Sequence, residues 1–327
     1  MRLLFIGDVM LGRLLNDVLT REPPTYPWGD TFSLFQRADT RLCNLECALA
    51  DRGTLWRATP KVFHFRSDAK NVEVLKVARI TATSLANNHT LDFGYEGLFE
   101  TLDVLRAADI ITAGAGRNKT EASTVALWEV QGQKLGLIAL TDNQPEWEAT
   151  EAQAGVWFVP LFLQDERAEE LFEVVRKARE EVDLLIVSAH WGPNWGYVPP
   201  TNHVAFAHAL IDEGADIIFG HSGHVVRGIE LYKERPILYC SGDFIDDYAV
   251  DPVERNDLSF VFLVEREGQA IRELRLYPTV IQDFQARRAH DPERAKIVTT
   301  MQRLCIGLGT PTTWDEQDES LVIRCGV

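Results

Sequence analysis

A chain of 327 residues with 46% hydrophobic and 25% charged residues has ample length and apolar content for one large or two smaller globular cores. Its formal net charge of −16 excludes a protein that grips a polyanion such as nucleic acid over a broad face. It does not exclude an anionic substrate, because a bound cation can dominate its own pocket.

In chain order, residues 3–6 predict a buried strand that stops at Gly7-Asp8. An Asp at that edge can cap a helix or bind a metal. The prolines of 21–30 predict a loop, followed by a short helix over 31–37. Residues 40–43 predict a second strand ending in Asn44-Leu45-Glu46, and alternation puts Asn44 and Glu46 on one face. Within 51–68, Val62, His64 and Arg66 alternate with Phe63 and Phe65, which predicts an exposed strand, either a solvated edge or a rim facing substrate. A helix over 71–79 and a strand over 80–83 lead into Ser84-Leu85-Ala86-Asn87-Asn88-His89-Thr90, and a helix follows over 96–106. Asn88 and His89 therefore sit outside the carboxyl end of a strand, where open α/β sheets bind ligands. Asn offers a neutral oxygen to a hard metal, and His offers a nitrogen as ligand or proton donor. Asn-Asn-His is also ordinary turn chemistry.

Residues 110–113 predict the next strand, 114–117 a tight turn, and 125–130 with 134–140 a hairpin. A polar loop spans 141–155, and an amphipathic helix spans 165–179. The strand over 182–188 ends at Ala189-His190-Trp191-Gly192. The stiff, aromatic run 193–200 has the composition of a pocket wall or lid, with Trp191 and Trp195 at its mouth. A helix over 202–214 carries His203 and His208 as packing or surface residues. The strand over 216–219 ends in Gly220-His221-Ser222-Gly223-His224, and two His three apart at a strand end are a strong ligand signal. Further strands are predicted over 225–232, 236–240, 258–265 and 272–276, then a tail helix over 287–308 and a last strand over 321–324. The five cysteines form no Cys-x-x-Cys pair and predict reduced thiols in a cytoplasmic protein. No run approaches the ~20 apolar residues of a membrane span, and 3–6 is too short for a signal core.

Asp8, Asn44 with Glu46, Asn88 with His89, His190, and His221 with His224 each follow an apolar strand of the same kind. Strand ends on one edge converge, and a set of carboxylate, amide oxygen and imidazole suits Mn, Fe or Zn. A set of this size exceeds what one tetrahedral ion needs, so one or two divalent transition metals are expected.

The blocks Gly-Asp, Asn-Leu-Glu, Ala-Asn-Asn-His, Ala-His-Trp-Gly and Gly-His-x-x-His resemble the capsule-biosynthesis CapA family, also called the poly-γ-glutamate synthesis protein family. That family looks like a branch of the calcineurin-like metallophosphoesterases. The resemblance implies an α/β fold, a four-layer α/β/β/α sandwich of two mixed sheets. It spans a domain over 1–285, with a C-terminal helix and strand over 286–327 packed on it. It implies Asp8, Glu46, Asn88, His190, His221 and His224 as metal ligands and His89 as the acid that protonates a leaving group. Trp191, Trp195 and Arg13 are the candidates for substrate binding. The implied activity is a metal-dependent hydrolase of a phosphoester or related bond. The alternatives are a component of poly-γ-glutamate or capsule assembly and a noncatalytic binding protein. The expected partner is a small-molecule or polymer substrate of anionic character, with neither nucleic acid nor membrane segment. The chain departs from the wider superfamily at Met10, where a ligand His is expected. It also reads Gly-His-Ser-Gly-His and Gly-Asp-Phe where the branch reads Gly-His-His-Pro-His and Gly-Asn-Phe, so that Asp243 adds an acid with no assigned role.

Overall fold

Two mixed sheets carry the chain in a computed structural model that describes residues 1–326. The larger has ten strands. Its path runs Thr313–Asp315, Ser320–Arg324, Ala270–Gln282, Leu258–Glu267, Arg2–Val9, Thr40–Leu45, Ala82–Ser84, Ile111–Ala113, with Asp243–Ile245 beside Arg2–Val9 and Gln285–Arg288 beside Ala270–Gln282. The smaller has six strands, in the order Ile229–Tyr232, Arg235–Leu238, Ile217–His221, Leu184–His190, Gln133–Thr141, Ala126–Val130. Eight α-helices and two short strand pairs complete the described residues.

Each sheet contains a block of parallel strands. In the larger it is Arg2–Val9, Thr40–Leu45, Ala82–Ser84 and Ile111–Ala113. In the smaller it is Gln133–Thr141, Leu184–His190, Ile217–His221 and Arg235–Leu238. Strands covered on both faces need apolar residues at every position, which is why they stand out as continuous runs such as Leu-Leu-Phe-Ile. Alternate residues of one run serve different cores. Leu3 and Phe5 share a core with Leu137, Ile186 and Phe219 of the smaller sheet. Leu4 and Ile6 pack on the opposite face with Leu15, Leu75, Leu98 and Leu105 from helices. Ile138, Leu140, Leu185 and Val187 turn the other way, onto Leu171, Val175, Phe206 and Leu210. The two sheets thus face one another, each with helices on its outer face. Burial of each such side chain stabilises by about 1.5–3 kcal/mol.

The helix Glu166–Glu181 follows the same physics. The Asp165 side chain accepts from the Arg167 N–H as its N-cap, Glu166 and Glu169 fall in the first turn, and Arg179 falls in the last. Ala168, Leu171, Phe172, Val175 and Ala178 form its buried stripe.

Three expectations are corrected. Residues 62–66 are not an exposed strand; only Arg66–Ser67 pairs, with Ala48–Leu49. Phe65 is turned inward while Val62 is 84% and Phe63 60% exposed, so the alternation belongs to a loop. The tail is not helical from 287. Gln285–Arg288 hairpins back on Ala270–Gln282, and the helix occupies Glu293–Gly307, burying Ile297, Met301 and Cys305 between the sheets. The strand expected over 225–232 is confined to Ile229–Tyr232, because Val226 instead bridges to Ser241 beneath the site. No described helix is long and apolar enough to cross a membrane.

Candidate metal centre

Register explains why distant residues meet. On the larger sheet Asp8 lies opposite Asn44, which lies opposite Ser84. On the smaller sheet Thr141 lies opposite His190, which lies opposite His221. Both rows mark the carboxyl ends of parallel strands, and the facing sheets bring Asp8 Oδ1 to 3.7 Å from His221 Nδ1. Asp8 and His190 belong to the ends of their strands rather than to the loops beyond them.

Two groups of potential ligands form, each with its atoms within 4.8 Å of one another: Asp8, His190 and His221, and Asp8, Glu46 and Asp243. Asn44 Nδ2 donates to Asp8 Oδ1 at 2.7 Å, and the Ser222 N–H donates to Asp8 Oδ2 at 3.1 Å. His190 Nε2 lies 2.8 Å from Asn88 Oδ1, an acceptor, so His190 carries its proton on Nε2. Its Nδ1 then accepts from His221 Nδ1 at 2.8 Å, and His221 Nε2 accepts from the Ser188 hydroxyl at 2.8 Å. Both rings are neutral in this pattern. Burial holds His190 well below the ordinary imidazole range and pushes His221 down to about 3. Burial pushes the Asp8 carboxyl up to about 6, against the Asn44 hydrogen bond, and holds Glu46 and Asp243 well above the ordinary carboxylate range, with Asp8 the next cause.

His89 stands beside this centre, with its backbone N–H on Asn87 Oδ1 at 3.0 Å. Its Nδ1 lies 2.6 Å from Asp92 Oδ2, and its Nε2 lies 4.0 Å from Glu46 Oε1. Phe65 stacks on the ring at 3.9 Å. Lys61 Nζ donates to the Asn88 carbonyl at 2.6 Å and lies 3.3 Å from Asp92 Oδ1. Burial holds His89 well below its ordinary range, with Lys61 the next cause.

A pocket of about 450 Å³ opens onto these groups, lined by Arg13, Lys61, Phe63, Phe65, Trp195 and Tyr248, with Asn88, His89 and His224 among its walls. Two larger hollows, about 600 and 680 Å³, lie open around Tyr26 and Arg287 and hold none of these side chains. Arg13 lines the pocket, its guanidinium 5.5 Å from the Phe65 ring and its Nε 3.2 Å from Asp247. The Trp195 ring lies 5.5 Å from that of His224. Trp191 is the correction here: it is fully buried, its Nε1 donates to the Tyr239 carbonyl at 2.8 Å, and it packs on His203, so it does not line the mouth. A large apolar ring in the middle of a strand-to-loop junction is worth more in the core than at the rim. Arg13, Trp195, Ser222 and His224 all have left-handed backbone, with φ of 53, 68, 94 and 57°.

Three participants escape a reading by strand ends. Asp92 lies three residues beyond His89 in the same turn, and that spacing was its signal. Lys61 comes from the irregular loop, with none. Asp243 sits in Gly242-Asp243, the same dipeptide as Gly7-Asp8, and the two Asp are in register on adjacent parallel strands. Glycine is needed at both positions, since a Cβ on Gly7 would overlap the Gly242 carbonyl oxygen and Gly242 has φ 72°.

A family model described as "Bacterial capsule synthesis protein PGA_cap" matches residues 2–248. A "probable polyglutamine synthesis accessory protein" of Mycobacterium tuberculosis is 33% identical over 291 residues, covering 85% of this chain and 76% of that protein. The "Capsule biosynthesis protein CapA" of Bacillus anthracis is 28% identical over 249 residues, covering 74% of this chain and 59% of that protein. A crystal structure of a hypothetical protein from Thermus thermophilus shares the fold at a TM-score of 0.51 and 17% identity, covering 85% of this chain and 98% of that one.

Proposed function

The chain belongs to the bacterial capsule synthesis protein family PGA_cap, and from that premise we propose that it is a metal-dependent hydrolase of a phosphoester or related bond, with the helix-flanked sheets of the calcineurin-like metallophosphoesterase sandwich. The observation that carries the reading is Glu46 Oε2, a buried carboxyl oxygen with no hydrogen-bond partner, on a side chain set among the imidazoles of His89 and His190 and the carboxyls of Asp8 and Asp243. A buried carboxyl oxygen without a partner is costly to keep, and a cation that displaces the carboxyl proton supplies the missing partner. The donor set of carboxylate, amide oxygen and imidazole fits one or two divalent Mn, Fe or Zn ions. Asp8, Glu46, Asn88, His190, His221 and His224 would hold them. When bound, such ions polarise an ester and supply hydroxide at neutral pH.

The chain's own residues do the rest. His89 lines the pocket and delivers the leaving-group proton from Nε2, while Asp92 at Nδ1 fixes the ring and favours positive charge on it. An anion in the pocket offsets Lys61, the charge that with burial keeps His89 neutral. Phe63, Phe65 and Trp195 wall the space and exclude water. The test is elemental analysis of purified protein beside a screen of phosphomonoesters and diesters. Metal-free protein that refuses Mn, Fe and Zn by calorimetry ends the reading. A second reading, an accessory role in polymer synthesis, draws on the names that the relatives carry. It gains if a polyglutamate ligase is encoded next to this chain and no ester is turned over.

Metal affinity is expected to fall with acidification, because Asp8 near 6 and the higher Glu46 and Asp243 retain protons that a metal must displace. The loss is about tenfold per pH unit for each proton displaced below those values. Calorimetry between pH 7.5 and 5.5, in buffers of different ionisation enthalpy, counts the protons; a flat profile contradicts it. Trp195 emission is expected to change on addition of Mn²⁺ or a phosphate analogue, and Trp195→Phe to remove that change, since Trp191 is sealed in the core. An unchanged wild-type spectrum at saturating ligand assigns Trp195 a packing role.

A further inference from the structure

We propose that Asp243 makes the centre asymmetric: Asp8, Glu46 and Asp243 form an all-oxygen position for a hard divalent cation, Mn²⁺ or Mg²⁺, beside the imidazole-rich position of Asp8, His190 and His221. The inference rests on the metal-binding part of the function proposed above and adds a ligand to it.

The carboxylates of Asp8, Glu46 and Asp243 bring oxygens within 4.8 Å of one another, and all three residues are at least 98% buried. Glu46 Oε2 and Asp243 Oδ2 are buried without a hydrogen-bond partner. Among the described residues, no Lys or Arg pairs with any of the three. Arg13 is paired with Asp247 and Lys61 with Asp92. Asp246, itself buried and with an unpartnered oxygen, stands against Asp243, so the inward carboxyls carry protons that only a cation can displace, and no described side chain supplies that cation. The imidazole nitrogen nearest Glu46 is already engaged: His190 Nε2, 3.9 Å from Glu46 Oε1, bonds Asn88 Oδ1 at 2.8 Å. Met10 directs its sulfur to the Gly12 N–H at 3.0 Å. His224 Nδ1 lies 3.1 Å from Asp243 Oδ1, so one Asp243 oxygen orients that ring and the other is left for the cation. His190 and His221 pair with each other through Nδ1 and belong to the neighbouring group. Oxygen-only donor sets favour Mg²⁺ and Mn²⁺, and imidazole sets favour Zn²⁺ and Fe²⁺. Asp8, common to both groups, joins the positions.

Calorimetry of metal-free protein with Mn²⁺ and with Zn²⁺ tests the assignment. Asp243→Asn, which preserves shape and removes one charge from a crowded site, is expected to weaken Mn²⁺ binding by at least about tenfold and leave Zn²⁺ within about twofold. His221→Ala is expected to do the reverse. Equal Mn²⁺ affinity in wild type and Asp243→Asn, or parallel loss of both metals, overturns the proposal. A readout on the unmodified protein guards against misfolding of the variant: with the imidazole position first filled by one equivalent of Zn²⁺, one equivalent of Mn²⁺ added to wild type should show no directly bound nitrogen by pulsed electron paramagnetic resonance, and coupling to a ligated imidazole overturns the proposal. The two readings fail separately. Mn²⁺ held as described with no ester hydrolysed sinks the hydrolase. Ester hydrolysis with Mn²⁺ binding indifferent to Asp243 sinks this inference. A wild type that binds no metal sinks both.

Discussion

His89→Asn is expected to lower kcat by roughly 10²–10⁴-fold, the range for loss of a positioned proton donor, while bound metal stays near the parent content. The separation follows from geometry. His89 Nε2 is 4.0 Å from Glu46 Oε1, and its Nδ1 is engaged by Asp92 at 2.6 Å, so the ring belongs to neither group of close metal-ligand atoms. Asn87 and Asn88 hold the turn without it, through Asn87 Nδ2 on Asn44 Oδ1 and on the Leu45 carbonyl and through Asn88 on His190 and Lys61. A graded series of leaving groups decides the role. The deficit should shrink for nitrophenyl esters, whose leaving group needs little protonation, and grow for alkyl esters. A deficit that is the same across the series makes His89 a structural member of the loop, stacked on Phe65, and removes it from the proposed chemistry.

Asp8→Ala is expected to abolish metal binding and turnover together, because Asp8 alone is shared by both ligand groups. The distinguishing readout is thermal. Wild-type protein at a metal concentration about a hundredfold above Kd gains about 2.7 kcal/mol, and the variant should gain nothing. In the metal-free state two effects oppose each other. The substitution relieves repulsion on Glu46 and Asp243, yet it strands the Ser222 N–H, at a cost of about 1–3 kcal/mol, and leaves the Asn44 amide only His190 Nδ1 at 3.3 Å. Metal-free variant and metal-free parent should therefore melt close together while only the parent responds to metal. A variant that keeps its metal, or that is stabilised by metal as the parent is, assigns Asp8 to hydrogen bonding alone.

Most of the polar cluster at the strand ends was legible because parallel strands covered on both faces must be apolar throughout. A polar residue that ends such a run, as Asp8, Glu46, His190 and His221 do, has no core to join and is left at the carboxyl edge. The amphipathic helix over Glu166–Glu181 was legible for the same kind of reason, since a 3.6-residue stripe and a capping Asp are local. The loop contributions were not. The alternation at 62–66 looked like a strand, but tertiary burial of Phe65 against His89 overrode it and delivered Lys61 to Asp92. Trp191 and Trp195 lie four residues apart in one aromatic run, and only packing sends the first under Tyr239 and leaves the second beside His224. The sequence by itself determined which residue types end the strands, because burial on two faces leaves no freedom in the runs before them. Only the tertiary structure decided that Asp243 stands level with Asp8: their pairing depends on two glycine backbones, far apart in the chain, meeting in close contact, a long-range match that no local pattern encodes.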